Sequence, residues 1–197
     1  MYDPDGGDIL LDGLPLAAYD LASLRRRIAV VYQDFAHFAL SLRDNIAVGA
    51  LDADAGPDQV VTAARWSGAD HVAARLPRGY DTEFTRRFEG GIDLSGGEWQ
   101  KVAMARAAIR DAALVILDEP TAALDAEAEH ELFRRFRELA EGRTVLLISH
   151  RFSTVRMADR ILMLEDGHVV ASGRHEELVA QAGRYAELFE MQAGRYR

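Results

Sequence analysis

Two carboxylates, Asp118 and Glu119, close the apolar run Leu114-Val115-Ile116-Leu117, and Pro120 follows at once. Acids at the end of such a run can hold a divalent cation and orient a reacting water. Upstream, Leu94-Ser95-Gly96-Gly97-Glu98 puts paired glycines where a helix begins, since Ser95 and Glu98 have the spacing of a capping box. Each glycine costs about 1 kcal/mol against alanine in a helix interior, so helix stability alone would not select the pair. Bare backbone there lets a large anion reach free N–H groups at the positive end of the helix dipole. For an isolated Ser-Gly-Gly, a simple turn is the better account. The chemistry of phosphate and metal comes from its spacing to the two acids.

The elements that must position these groups follow from the pattern. A continuous apolar run such as Leu114 to Leu117 is expected of a parallel strand buried on both faces. Ligands of open α/β sheets sit at the carboxyl ends of the strands, where Asp118 and Glu119 stand. Strand alternation would send the two acids to different sides. A second buried strand, Thr144 to Ser149, ends in His150, and the β-branched run Ile28 to Tyr32 delivers Gln33. Taken singly, a Gln or a His at a strand end is an ordinary surface or structural residue; His150 gains weight from sharing a sheet edge with Glu119. Between the strands, Asp125 can cap a helix whose Leu132, Phe133, Phe136 and Leu139 share an apolar face, with Gly142 at its C-cap.

The remaining chain frames this centre. Asp8 to Leu11 reads as a strand closed by Asp12-Gly13, and Asp20 can cap a short helix. From Ser41 the pattern is helical: Ser41 to Ile46, Pro57 to Trp66, and Ala69 to Leu76 before Pro77. Arg78 to Asp93, with Gly79, Gly90 and Gly91, reads as an exposed loop of mixed charge. A hairpin, Ile161 to Leu164 and His168 to Ala171 about Asp166-Gly167, and a last helix, Tyr185 to Met191, complete the chain. The expected fold is α/β, a mostly parallel sheet flanked by helices. Residues 1–34 and 111–197 form its core, and 35–110 an inserted helical subdomain.

Composition narrows the function. A chain of 197 residues with 49% hydrophobic content can bury one full core. Its 32 acidic against 23 basic residues, net charge −9, argue against a sequence-independent grip on nucleic acid. Cysteine is absent, which excludes disulfides and thiolate metal sites. The apolar runs fall short of the roughly 20 residues of a membrane span, so a membrane link is expected to run through a partner.

In order and spacing, Gln33, Leu94-Ser95-Gly96-Gly97-Glu98-Trp99-Gln100, Leu117-Asp118-Glu119-Pro120, Ala123-Leu124-Asp125 and His150 resemble the nucleotide-binding domain of ATP-binding-cassette (ABC) transporters. Ser41-Leu42-Arg43-Asp44-Asn45-Ile46 and Gly79-Tyr80-Asp81-Thr82 are most similar to the exporter branch. The resemblance implies a P-loop NTPase-like fold and an ATPase using ATP and Mg²⁺ to drive export. Gln33 would contact Mg²⁺ and the attacking water, Asp118 would hold Mg²⁺, and Glu119 would act as base. His150 would contact the γ-phosphate. Ser95, Gly96 and Gly97, with Glu98, would close on nucleotide held by a second nucleotide-binding domain, and Asp125 would lie across that dimer interface. A transmembrane domain is the other implied partner, which would hold this chain at the cytoplasmic face of the plasma membrane; nucleic acid is not an implied partner.

One departure matters. A P-loop requires G-x-x-x-x-G-K-[ST], and the only lysine, Lys101, is followed by Val102. The Walker A P-loop and the adenine-stacking aromatic are therefore expected upstream of Met1, the domain being N-terminally truncated and inactive alone. Their absence should expose the sheet core and one strand edge. Trp99 also stands where many relatives carry a polar residue.

Overall fold

The computed structural model describes residues 4–50, 55–84, 92–120, 134–138 and 140–193. A short antiparallel pair, β1 (Leu10–Leu11) and β2 (Leu14–Pro15), turns through Asp12 and Gly13, both at positive φ as a tight hairpin requires. Asp20 then caps α1 (Leu21–Arg27), accepting from the Ser23 N–H at 2.8 Å.

The sheet that follows is parallel and three-stranded: β3 (Ile28–Val31), β4 (Leu114–Asp118) and β5 (Thr144–Ile148), in that spatial order. Val31 lies opposite Leu117, and Asp118 opposite Ile148, so the three strands end at one edge. Burial alternates along them. Ala29, Val31, Val115 and Leu117 are almost fully buried and pack with Ala103, Met104 and Phe136. The opposite face is only partly covered, and Leu146 and Ile148 are 46% and 47% exposed. The expectation that β4 and β5 are buried on both faces therefore holds for one face. Among the described residues no strand pairs with the outer edge of β5.

Between β3 and β4 lies a helical layer: α2 (Leu42–Ala47), α3 (Pro57–Ser67), α4 (Ala69–Arg75) and α5 (Gly96–Ala108). Gly68, at φ 77°, makes the reversal from α3 to α4. α5 is at least partly buried at every position after Gly96 because it serves two cores. Trp99, Val102 and Ala105 pack with Leu42, Ile46, Val60 and Val72, whereas Ala103, Met104 and Ala107 pack on the sheet. Where α2 ends against α5, a Cβ on Gly49 would lie 2.2 Å from the Arg106 carbonyl oxygen, so glycine is what permits the approach.

The stretch expected as an exposed loop after Pro77 is different at its start. Thr82 and Phe84 are buried, because Leu42 N–H donates to the Thr82 carbonyl and Phe84 N–H to that of Leu40, at 3.1 Å each. This pairing closes the helical core. Gly90, Gly91 and the rest of 85–91 lie outside the described residues, as do Asp125, Leu132, Phe133 and Leu139. Of that helix, residues 134–138 are described, and Phe136 is core.

The C-terminal part comprises α6 (Phe152–Val155), the antiparallel pair β6 (Ile161–Glu165) and β7 (His168–Gly173), α7 (His175–Ala180) and α8 (Arg184–Ala193). Ile161, Leu178 and Tyr185 form its core, with Phe152 packed against them. No described helix is long and apolar enough to cross a membrane.

Candidate active site

Because the three parallel strands end together, Gln33, Asp118, Glu119 and His150 come to one edge of the sheet. Asp118 is the last residue of β4 and half-buried; among the described residues its carboxylate has no hydrogen-bond or ion-pair partner. Glu119 does not simply continue the alternation of the strand. Its φ is +48°, a left-handed conformation unfavourable for a side chain with a Cβ, and its N–H donates to the Ile148 carbonyl at 2.9 Å. The turn throws its carboxylate across onto the end of β5. There Glu119 Oε1 accepts the His150 N–H at 3.1 Å and meets His150 Nδ1 at 2.6 Å, while the Ser149 hydroxyl lies 3.5 Å from Oε2. The Glu119 side chain is 15% exposed and that of His150 73%, so the pair is anchored from inside and open on the imidazole side.

Gln33 is exposed, beyond the end of β3, and no hydrogen bond joins it to the carboxylates. Nor does any hydrogen bond join the carboxylates to Ser95, Gly96 or Gly97, where α5 opens; Ser95 and Gly96 are exposed and Gly97 half-buried. The predicted capping box forms through its carboxylate: Glu98 Oε2 accepts from both the N–H and the hydroxyl of Ser95 at 2.8 Å, and Arg75 donates to Oε1 at 2.6 Å. Burial alone would raise the Glu98 pKa, but the Ser95 donors, Arg75 and Lys101 outweigh it and hold the carboxyl below its ordinary value. Both oxygens of Glu98 are thus engaged in fixing the turn.

Gly96 and Gly97 have no such internal duty. Neither has positive φ, and a Cβ on either would meet nothing within 4 Å. Among the described residues nothing crowds either position, so internal packing does not select glycine there, and the bare backbone leaves the N–H groups of the helix start open to an approaching group. One turn further along α5, Gln100 is buried and its amide donates to the Pro120 carbonyl, tying the helix to the residue after Glu119.

Several residues around the site carried little sequence signal. Trp99 is 2% exposed, stacks on His37 at 4.3 Å and donates its indole N–H to Asp93 at 2.9 Å. Asn45, fully buried, donates to the carbonyls of Phe38, Leu40 and Ser41. Arg106 grips Asn45 and the Ala36 carbonyl from α5, fastening the segment that leaves Gln33. Only long-range geometry reveals these roles.

The chain has relatives among known proteins. The sequence family described as "ABC transporter" matches residues 1–122. The cyclolysin secretion/processing ATP-binding protein CyaB of Bordetella pertussis is 46% identical over 98% of this chain and 26% of its own length. The ATP-dependent lipid A-core flippase of Pseudomonas aeruginosa is 45% identical over 96% of this chain and 31% of its own. A solved structure of a bacterial Atm1-family ABC exporter with ATP bound superposes with a TM-score of 0.88 at 39% identity, covering 98% of this chain and 33% of the other. The chain thus spans about a third or less of each of these relatives.

Proposed function

The chain belongs to the ABC transporter family, and we propose that it carries the greater part of a nucleotide-binding domain whose ATP hydrolysis powers export through a membrane partner. The observation that carries this reading is the Glu119–His150 pair, 2.6 Å apart, next in the chain to Asp118, whose carboxylate has no partner among the described residues, at the carboxyl edge of a parallel sheet. In this proposal residues 1–34 and 111–197 form the α/β core and 35–110 the helical subdomain.

The donor set suits Mg²⁺ bound together with phosphate oxygens. No group of three or more His, Asp or Glu among the described residues could hold a metal by itself, and Mg²⁺ commonly binds through one or two carboxylates plus nucleotide phosphates. Asp118 and Gln33 would hold the cation, which would offset phosphate charge. Glu119 would orient and deprotonate the attacking water, and His150, fixed by Glu119, would reach the γ-phosphate. Ser95, Gly96 and Gly97, set by Glu98, would offer N–H groups and a hydroxyl to nucleotide bound on a second nucleotide-binding domain, with Asp125 at the same interface. The other partner would be a transmembrane domain, placing this chain at the cytoplasmic face of the plasma membrane. The names of the relatives, a cyclolysin secretion protein and a lipid A-core flippase, support export from the cell interior.

These 197 residues contain no P-loop sequence, so the lysine that reaches the β- and γ-phosphates must be supplied from outside them, by the same polypeptide or by a partner. Among the described residues the outer edge of β5 is unpaired, which is where a further strand would join, and the exposed Leu146 and Ile148 lie on the face that a further helix would cover. The chain alone is accordingly expected to show no ATP turnover above background in a phosphate-release assay.

A second reading follows from the same absence: the chain lends its Ser95–Gly97 face to a partner that has a P-loop. Mixed with a complete ABC nucleotide-binding domain, it should associate only when millimolar ATP is present, and Ser95→Arg should abolish that association by filling the space above the glycines. Analytical ultracentrifugation reads the result; the absence of any ATP-dependent complex would sink this assignment of the glycine face.

A further inference from the structure

The His150 segment is held from two sides. Glu119 grips its N–H and its ring, as described above. From the other side comes Gln192, in the last turn of α8. Its Nε2 donates to the His150 carbonyl at 2.8 Å, and its Oε1 accepts the Phe152 N–H at 3.3 Å. One primary amide thus spans residues 150 and 152, satisfying two backbone groups that leave the sheet where β5 stops and α6 begins. Between them, Arg151 N–H donates to the Ser149 hydroxyl at 3.1 Å.

The helix that brings Gln192 is itself fixed. Tyr185 is buried and its hydroxyl pairs with His175 Nδ1 at 2.9 Å, while the Phe152 ring meets Tyr185 and Phe189 edge-on at 5.1 and 5.6 Å. An imidazole that is 73% exposed gets little orientation from packing, so its direction depends on the backbone that carries it.

We propose that Gln192 is a positioning residue for His150: its amide clamps the peptide units on either side of Arg151 and sets the turn from which the imidazole meets Glu119. The last helix then belongs to the hydrolytic apparatus. This inference rests on the reading of Glu119 and His150 as a working pair.

The test uses the 197-residue chain with ¹⁵N-labelled histidine and follows the ring nitrogens of His150 by NMR, with His175 on the same C-terminal unit as the internal control. Glu119→Gln should move the His150 signals, because the carboxylate at Nδ1 is gone. Gln192→Ala should move them in the same direction by at least about half as much, leaving those of His175 in place. In a polypeptide that also contains the P-loop, Gln192→Ala should lower kcat about tenfold with KM for ATP within about twofold. If Glu119→Gln shifts His150 and Gln192→Ala does not, the clamp is refuted while the pair stands. If Gln192→Ala moves His175 as much as His150, Gln192 merely supports the helix, and the proposal is equally overturned. If Glu119→Gln itself leaves His150 unmoved, the pair falls and the clamp has nothing to position.

Discussion

Glu119→Gln, placed in a polypeptide that supplies the P-loop, is expected to lower ATP turnover by at least about a hundredfold while leaving ATP-dependent association intact. The side chains are isosteric, so the amide can keep the reach across from β4 to the end of β5 and a hydrogen bond with His150. What it loses is the ability to take a proton from water and the charge that faces the imidazole. The left-handed backbone at Glu119 directs that reach, and it is supported by the bond from its own N–H to the Ile148 carbonyl, which the substitution does not touch. Binding should therefore survive and the chemical step should not. Phosphate release under saturating ATP, with nucleotide-dependent dimerisation measured in parallel, separates the two. An unaltered rate would show that Glu119 is not the base.

Arg106→Leu is expected to carry the largest stability loss, about 3 kcal/mol, read as a lower urea midpoint with an unchanged slope. The guanidinium donates to the Ala36 carbonyl at 2.5 Å, the Asn45 carbonyl at 2.7 Å and Asn45 Oδ1 at 2.6 Å, and lies over the Phe38 ring at 4.9 Å. Burial pushes its pKa down to about 10, so it remains charged at neutral pH. Leucine would keep the stem and strip these acceptors of their donor. Ala36 is exposed and can turn to water; Asn45 is fully buried and cannot. Relaxation is also restricted, because Gly49 already lets the end of α2 press against the Arg106 backbone. Lysine should rescue little, since a point ammonium cannot reproduce the fork that reaches two residues at once. Amide exchange in residues 36–45 should quicken, loosening the chain that leaves Gln33. A loss of unfolding free energy smaller than about 0.5 kcal/mol would refute this account.

The candidate site was readable in the sequence to an unusual depth because its signals are local. Four aliphatics ending in two acids define a strand and its terminus, Ser95 with Glu98 defines a helix start, and Asp20 and Ser41 cap the helices that their spacing announced. The resemblance to ABC nucleotide-binding domains rests on those short motifs in order, and the family match bears it out. Trp99 was visible only as an oddity; in the fold it is the aromatic centre of the helical core.

From the order of residues alone came the strands, the caps and the chemistry of the groups at the strand ends, because backbone preference and apolar period act over a few positions. Tertiary structure decided the rest. It set Glu119 against His150 by a left-handed turn, left one face of β4 and β5 only partly covered, and chose the distant partners of Arg106, Gln100 and Gln192, respectively 61, 20 and 42 residues away. Such pairs have no period and no local propensity. They exist because a buried donor or acceptor must be satisfied by whatever the fold brings within reach.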